Sequence, residues 1–340
     1  MAYTTIDKPS DYFRTKLYAG NATNNRAITW EETDTNMQPN MLWFKSRTDN
    51  QAHALFDSVR GAIKRLVPNE TGAEGDEAAN LDSFDTNGFT VDAEAIVNGS
   101  SRNYVTWGWK AGGSASSNSN GTITSSVSAN QTAGFSIVSY TGTGSSATVG
   151  HGLGVAPKFM IIKNRSDATN WNVYTTVIDG SMDYLYLNLT DAKGNSSASL
   201  PTSTLLNLTA SNDVNGSSDN MIAYCFAEKQ GYSKFGGFVA NGSTVNSFIY
   251  TGMKPSFVMF KRTDGTGNWG MWDNKRNTFN VMDKYLLANS SGAEGTSAQL
   301  DLLSNGIKIR TSGFSSGNWI YMAFAENPFV TSTGVCATAR

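Results

Sequence analysis

The sequence is poor in several residue types on which common folds and enzymes depend. Only two cysteines, Cys225 and Cys336, and two histidines, His53 and His151, occur among the 340 residues. Two cysteines form neither a disulfide framework nor a four-cysteine zinc site, so we expect packing to provide the stability. Charged residues are 16% of the chain, well below the usual quarter, and the net charge is −2. The sequence contains no stripe of basic residues of the kind that would indicate a nucleic-acid partner.

Long apolar runs are also missing. No run approaches the roughly 18 residues that a membrane-spanning helix needs, so we expect no membrane insertion. The first nine residues have no basic segment followed by an apolar one, which is the pattern of a secretory signal. We therefore expect synthesis in a reducing cytoplasm, whatever the final location.

Asn, Ser, Thr and Gly take the place of the missing charges. This composition favours short strands joined by tight turns over long surface helices. Hydrophobic residues at 39% and aromatic residues at 11% are sufficient for a sizeable core.

Three prolines anchor an internal repeat with a period of about 100 residues. After each proline come one residue, four apolar residues and a lysine, and a large ring follows eight residues after the lysine. Copies one and three also share an Asp-x-x-Arg motif. The repeat-equivalent residues are Pro39, Pro157 and Pro255; Lys45, Lys163 and Lys261; His53, Trp171 and Trp269; and the pairs Asp57/Arg60 and Asp273/Arg276.

The repeat predicts an all-β fold of three tandem jelly-roll or lectin-like β-sandwich modules of about 100 residues each. The four-residue apolar runs are typical of strands buried on both faces. Asn-Gly at 87–88 and 305–306 predicts hairpin turns. The predicted domains are an N-terminal docking arm (1–12), modules at 13–111, 134–236 and 237–330, a Ser/Asn/Gly-rich linker (112–133) and a C-terminal tail (331–340). The linker includes a possible strand at 122–128.

The repeated residues are interpreted as structural rather than catalytic. We expect each lysine to cap its apolar strand, each Asp-x-x-Arg to staple a turn, and His53 to fill a packing position. The alternative for the lysines is an external phosphate or glycan carboxylate. In the N-terminal arm, Tyr3, Ile6, Tyr12 and Phe13 are candidates for docking onto another protein by strand addition.

The sequence offers little support for catalysis or cofactors. No Gly-x-Ser-x-Gly elbow accompanies His151. The carboxylates Glu74, Asp76, Glu77 and Asp82 are interpreted as a solvated loop, with glycan cleavage as the enzymatic alternative. A calcium site in the same loop is a further alternative, although the spacing of the carboxylates fits no EF-hand. We predict no catalytic, cofactor or metal residues.

Three segments resemble a known family. They are Gly152–Lys163, Tyr224–Gly236 and Pro255–Trp269. They are similar to a family of virion proteins encoded by marine phages, cyanophages among them, usually described as tail-fibre or structural proteins with lectin-like β-sandwiches. The similarity extends over residues 1 to 330 and includes no catalytic motif.

This resemblance implies a non-enzymatic virion structural protein, a tail fibre or receptor-binding component in contact with the host surface. The alternatives are a capsid decoration or knob protein and a polysaccharide depolymerase. The implied partners are other tail or capsid proteins and a host-surface glycan or protein. We also expect a homo-oligomer, because positions on a virion are symmetric.

Overall fold

The structure is a computed structural model that describes residues 2–32 and 34–338. Strands hold 46% of the residues and helices 2%. The predicted all-β, sandwich-type fold is therefore confirmed. The first residue of the predicted arm and the last two of the predicted tail lie outside the described residues.

The first group of strands, which we call module 1, follows a 3₁₀ turn at Pro9–Asp11. Its sheets have the orders β1-β9-β3-β4-β5-β6 and β2-β8-β7. The strands are β1 (Phe13–Ala19), β2 (Arg26–Thr29), β3 (Met41–Ser46), β4 (Ala54–Asp57), β5 (Gly61–Leu66), β6 (Gly75–Asp76), β7 (Leu81–Asp85), β8 (Gly88–Val91) and β9 (Asn103–Trp109).

Module 2 contains the next ten strands and one short helix. Its sheets have the orders β10-β11-β12-β19-β14-β15-β16-β17 and β13-β18. The elements are β10 (Ser116–Asn118), β11 (Ser125–Asn130), β12 (Phe135–Thr141), β13 (Ala147–Gly150), β14 (Phe159–Asn164), β15 (Asn172–Thr175), β16 (Asp183–Tyr186), β17 (Gly194–Asn195), β18 (Leu205–Leu208), α1 (Asn212–Asn215) and β19 (Asn220–Phe226).

Module 3 contains the last eight strands, in the order β20-β27-β22-β23-β24-β25-β26-β21. The strands are β20 (Ser233–Ala240), β21 (Phe248–Tyr250), β22 (Met253–Arg262), β23 (Gly270–Asp273), β24 (Met282–Leu287), β25 (Gly295–Leu303), β26 (Gly306–Ile309) and β27 (Gly317–Pro328).

One five-strand order recurs in the three modules. It reads β1-β9-β3-β4-β5, then β12-β19-β14-β15-β16, then β20-β27-β22-β23-β24. In each, the strand that follows the anchor proline (β3, β14 or β22) pairs with the closing aromatic strand of its copy (β9, β19 or β27). The sequence repeat therefore corresponds to a structural repeat of sheet topology.

Two layers of core explain why these strands are apolar on both faces. One face of each five-strand sheet packs into a central cluster shared by all three modules, which includes Trp107, Phe226 and Phe324. The opposite face packs into a separate cluster within its own module. A strand with protein on both sides buries every side chain, as β3 does along its whole length.

The segment at 112–133 differs from the prediction of a linker. It contributes β10 and β11, and β11 pairs with β12 from Ser126 to Asn130. Ser125 and Ser128 of this strand are buried, and the Ser128 hydroxyl donates to the Gly113 carbonyl oxygen at 2.7 Å. The possible strand predicted at 122–128 overlaps β11, whereas β10 was not predicted.

The predicted boundary at 236–237 is also displaced. Strand β20 begins at Ser233 and pairs with β27 along its full length, so residues 233–236 belong to module 3. The two Asn-Gly pairs do lie in hairpins, where each glycine is the first residue of the returning strand.

Candidate functional site

The three repeated lysines lie inside the protein. Burial lowers the pKa of Lys45, Lys163 and Lys261 to about 8 in each case. Each ammonium group donates to backbone carbonyl oxygens, for example from Lys163 to Asn164 at 2.6 Å and to Asp167 at 2.9 Å. A buried ammonium group that already has such acceptors stabilises the end of its strand and does not reach an external phosphate.

The repeated large rings join the modules in a cyclic arrangement. The Trp171 indole Nε1 donates to the Val67 carbonyl oxygen of module 1 at 3.0 Å. The Trp269 indole donates in the same way to Tyr186 of module 2 at 2.9 Å. His53 Nε2 lies 3.0 Å from the carbonyl oxygen of Leu287 in module 3. The three acceptors follow equivalent leucines, so each module binds a neighbour in the same sense around the central core.

His53 is neutral in this position. Its Nδ1 accepts from the Trp43 indole at 2.8 Å, which leaves the proton on Nε2 for the Leu287 carbonyl oxygen. Burial, with a smaller contribution from the nearby Lys45 charge, lowers the pKa of His53 to about 3. The equivalents of Trp43 are Ile161 and Met259, so a large residue there accompanies the smaller ring at 53.

These contacts predict an acid-sensitive stability. The unfolded chain binds a proton at His53 near pH 6.5, whereas the folded chain resists protonation down to about pH 3. The stabilisation is complete above pH 6.5, and below it the free energy of unfolding should fall by about 1 kcal/mol per pH unit.

Urea unfolding from pH 7 to pH 4 tests this with the double variant Trp43→Met/His53→Trp. In this variant the free energy of unfolding should depend less steeply on pH. A slope equal to that of the wild type would contradict this role. Some slope remains, since burial also lowers the pKa of His151.

The Asp-x-x-Arg motifs join modules as well as stapling turns. Asp57 Oδ2 accepts from Arg60 Nε at 2.5 Å and from the Tyr224 hydroxyl of module 2 at 2.7 Å. At the next interface, Asp273 Oδ2 accepts from Arg276 Nε at 2.5 Å and from the Trp107 indole of module 1 at 3.1 Å.

The third interface has an apolar version of this cluster. Thr175 and Ile178 stand where the other copies have Asp and Arg, and Met322 stands where they have Tyr224 or Trp107. The Thr175 hydroxyl donates to the Lys158 carbonyl oxygen at 2.9 Å. At this interface the aspartate, the arginine and the neutral hydrogen-bond donor are therefore all replaced together. This indicates that the three groups act as one unit at the other two interfaces.

A second set of ionic contacts lies at the same interfaces. Glu74 receives two hydrogen bonds from Arg165, at 2.7 and 2.9 Å, and Glu294 receives the equivalent pair from Arg47. The equivalent position in module 3 is Thr263, which accepts from the Lys193 backbone. Arg262, the arginine of copy three near this position, lies one residue earlier in the repeat.

The acidic loop is paired rather than open. Although burial acts to raise the pKa of Glu74, the hydrogen bonds and charges of Arg165 and Arg60 hold it below its ordinary value. Asp76 pairs with Lys64 at 2.5 Å and Glu77 with Arg65 at 2.8 Å, while Asp82 is exposed. Across residues 2–32 and 34–338, no group of three or more His, Cys, Asp or Glu side chains is placed to hold a metal ion.

His151 has backbone partners at both ring nitrogens. Its Nδ1 accepts from the Leu153 amide at 3.2 Å, and its Nε2 lies 3.1 Å from the Thr202 carbonyl oxygen. A histidine held in this way has no free nitrogen with which to activate a serine.

The four docking candidates of the N-terminal arm contact the chain's own modules. Tyr3 donates to the Gly252 carbonyl oxygen at 2.7 Å, and the Tyr12 ring lies 5.9 Å from the Tyr232 ring. Ile6 and Phe13 are each 3% exposed within the central cluster. The arm therefore packs against module 3 and the central cluster in this structure and does not project as a free docking segment.

An open cavity of about 310 Å³ lies on module 3 beside the loop at 311–316. Its aromatic lining is a set of mutually packed rings, with Phe314 and Trp319 centroids 4.8 Å apart and Phe314 and Trp272 centroids 5.9 Å apart. The aromatic residues are Phe260, Trp272, Tyr285, Phe314 and Trp319, and the polar ones are Thr266, Asn268, Gln299 and Ser315. Among the described residues, those that line this cavity are all uncharged.

The loop above this cavity is held differently in module 3. In modules 1 and 2 the equivalent loop is tied down by a tyrosine hydroxyl, from Tyr18 to Val97 at 2.5 Å and from Tyr140 to Val214 at 2.6 Å. Module 3 has Phe238 at that position, which has no hydroxyl. Its loop is held instead by Asn246 and by ring packing of Phe314.

Two other recesses lie at seams between modules and differ in chemistry. The recess of about 290 Å³ between modules 1 and 3 is lined by charged residues, including Arg14, Glu32 and Lys275. Lys275 pairs there with both Glu31 and Glu32. The recess of about 540 Å³ near Asn130 contains no aromatic residue among the described residues that line it. The module 3 cavity is therefore the candidate site.

The sequence predicted no functional role for the cavity residues, although copy three differs from the other copies at two of them. Copy three alone has tryptophan at both Trp272 and Trp319, where copy one has Phe56 and Tyr104 and copy two has Tyr174 and Met221. Both tryptophans are buried in the module 3 core, so the larger residues at these positions show that this part of the core is packed differently from its equivalents in the other copies.

The comparisons with known proteins identify a family and nothing more specific. No curated protein and no solved structure matches the chain. None of the helices in the described part of the chain is long and apolar enough to cross a membrane. A family model described as a domain of unknown function, DUF7483, matches residues 8–328. Because this match extends over most of the chain, the chain belongs to the DUF7483 family.

Proposed function

We propose that this chain is a non-enzymatic structural protein of a bacteriophage particle, a tail-fibre or receptor-binding component that presents module 3 to the host surface. The observation that carries the proposal is the contrast between the inside and the outside of the molecule. The repeated charged residues are paired internally, while module 3 has an open cavity with an uncharged lining. The resemblance of the sequence to marine phage virion proteins gives this binding surface its biological setting.

Three measurements test the proposal. Antibodies against the purified protein should label the tail region of particles in electron microscopy, and mass spectrometry of purified particles should detect the chain. Fluorescently labelled protein should also bind host cells and compete with particle adsorption. Absence from purified particles would remove the proposal, and so would particles in which the protein neither lies at the tail nor binds cells.

The cyclic arrangement favours one second candidate, a capsid decoration protein. Three equivalent indole or imidazole contacts join the modules in the same sense, so one chain has approximate threefold symmetry. A chain of this shape matches a threefold position on a shell without forming a trimer. Labelling over the head, with copies in proportion to its threefold positions, would select this candidate.

The same arrangement bears on the expected homo-oligomer. Each module meets both of its neighbours through contacts within one chain, so the ring is already closed. We retain self-association as a proposal for the tail-fibre role, to be measured by light scattering.

A further inference from the structure

We propose that the module 3 cavity binds a neutral pyranose saccharide. This inference rests on the proposed function, because it names the ligand class of the surface through which the protein would contact its host. The size, lining and charge of the cavity support this ligand class, and the equivalent places in modules 1 and 2 differ from it.

The size and lining suit a small amphipathic ligand. Binding sites for small molecules are typically ~300–1,000 Å³, mostly apolar, with a few placed polar groups. The cavity, at about 310 Å³, is at the lower end of this range, which suits one or two sugar rings. A pyranose has an apolar C–H face and a rim of hydroxyl groups. Tyr285 is the partly exposed ring of the lining, and it packs on the buried Trp272 with ring centroids 6.2 Å apart. A ring held in this way offers rigid contact area to the C–H face at low entropic cost, beside a polar rim for the hydroxyl groups.

The polar rim supplies an available amide. Gln299 is partly exposed at the cavity, and no hydrogen bond joins its side chain to any other described residue. An amide both donates and accepts, so it pairs with a hydroxyl group in either role. Asn268 is already oriented by Asn289, whose amide donates to it at 2.8 Å. Gln299 is therefore the residue we expect to read the sugar hydroxyls.

The electrostatics favour a neutral sugar over an acidic one. Arg262 contacts the lining from behind, since it donates to Ser315 Oγ at 3.1 Å, and it pairs with Asp264 at 2.8 Å. Its charge is thus neutralised within the module. A uronate, sialate or sulfate would lose hydration without gaining a dedicated counter-charge, which costs free energy.

The repeat provides a matched control. Tyr285 in β24 contacts the cavity and lies over Gly295, its cross-strand partner. Tyr184 in β16 lies over Gly194 in the same way in module 2. Removing either ring should have a comparable effect on its sheet, but only Tyr285 lines the cavity.

The experiment is saturation-transfer NMR and a calorimetric titration of the whole purified protein. The ligands are maltose, lactose and mannobiose, with sialyllactose and glucuronic acid as acidic counterparts. We expect saturation transfer from the protein to at least one neutral saccharide, and weaker transfer to the acidic ligands. Gln299→Ala and Tyr285→Ala should each weaken binding at least tenfold, while Tyr184→Ala leaves it unchanged.

Three results would overturn the inference. They are no transfer to any neutral saccharide, preferential binding of the acidic ligands, and an equal loss of binding in Tyr184→Ala and Gln299→Ala. Because Gln299 lies at the rim, its variant remains informative even if Tyr285→Ala folds poorly.

The two proposals fail separately. Protein that binds cells and is found at the tail of particles, but binds no saccharide, leaves the proposed function standing without this ligand. Saccharide binding by a protein absent from particles would remove the virion role and support the cavity.

Discussion

Replacing Arg60 with isoleucine should lower the free energy of unfolding by ~3–5 kcal/mol, because it leaves the Asp57 carboxylate buried without its cation. Both side chains of the pair are 0% exposed. Glu74 keeps a second partner in Arg165, so the loss is concentrated at Asp57. Urea unfolding followed by tryptophan fluorescence measures the change.

The chain itself supplies the design for rescue. Asp57→Thr, Arg60→Ile and Tyr224→Met together copy Thr175, Ile178 and Met322 of the third interface. Replacing a whole buried ionic cluster with well-packed apolar residues is often neutral, so the triple variant should recover most of the lost stability.

An exposed ion pair serves as the control for this experiment. Lys64 pairs with Asp76, whose side chain is 65% exposed, and Lys64→Met should cost less than ~1 kcal/mol. A cost for Arg60→Ile no greater than this control, or a triple variant no more stable than the single one, would show that the cluster does not act as a unit.

Phe324→Ala should destabilise all three modules together. The centroid of the Phe324 ring lies 5.3 Å from that of Phe13 and 5.7 Å from that of Trp109, both in module 1. The centroid distances are 5.9 Å to Phe226 of module 2 and 6.0 Å to Phe235 of its own module. Truncating a buried phenylalanine costs ~3–5 kcal/mol. Since its contacts span the modules, unfolding should shift as one transition to lower denaturant concentration.

The control for this change is a phenylalanine of the same module outside the core. Phe279 is 75% exposed, and Phe279→Ala should change stability by less than ~0.5 kcal/mol. If Phe324→Ala unfolded module 3 alone and left the rest of the chain folded, the shared core would not couple the modules.

The strands were predictable because their signals are local. The run Phe159–Ile162 is continuous, apolar and bounded by lysines, and it becomes a central strand with both faces buried. The Asp57/Arg60 staple was also readable, because both partners lie within one turn. Short-range patterns of this kind depend little on the rest of the fold.

The interfaces between modules could not be predicted from any local pattern. Asp57 and Tyr224 are 167 positions apart, and nothing near either residue indicates the other. The absence of Asp-x-x-Arg from copy two was visible in the sequence. Met322, which replaces the neutral donor of that interface, is informative only once the order of modules around the core is known. The cavity was missed for a similar reason, because Trp272, Phe314 and Trp319 converge only after the sheet and its loop are folded.

Three modules that share one core should fold as one unit, and differential scanning calorimetry of the intact chain tests this. We expect one endotherm whose calorimetric enthalpy equals its van't Hoff enthalpy, because the central cluster draws residues from every module. Two or three resolved transitions, with a calorimetric enthalpy well above the van't Hoff value, would contradict it.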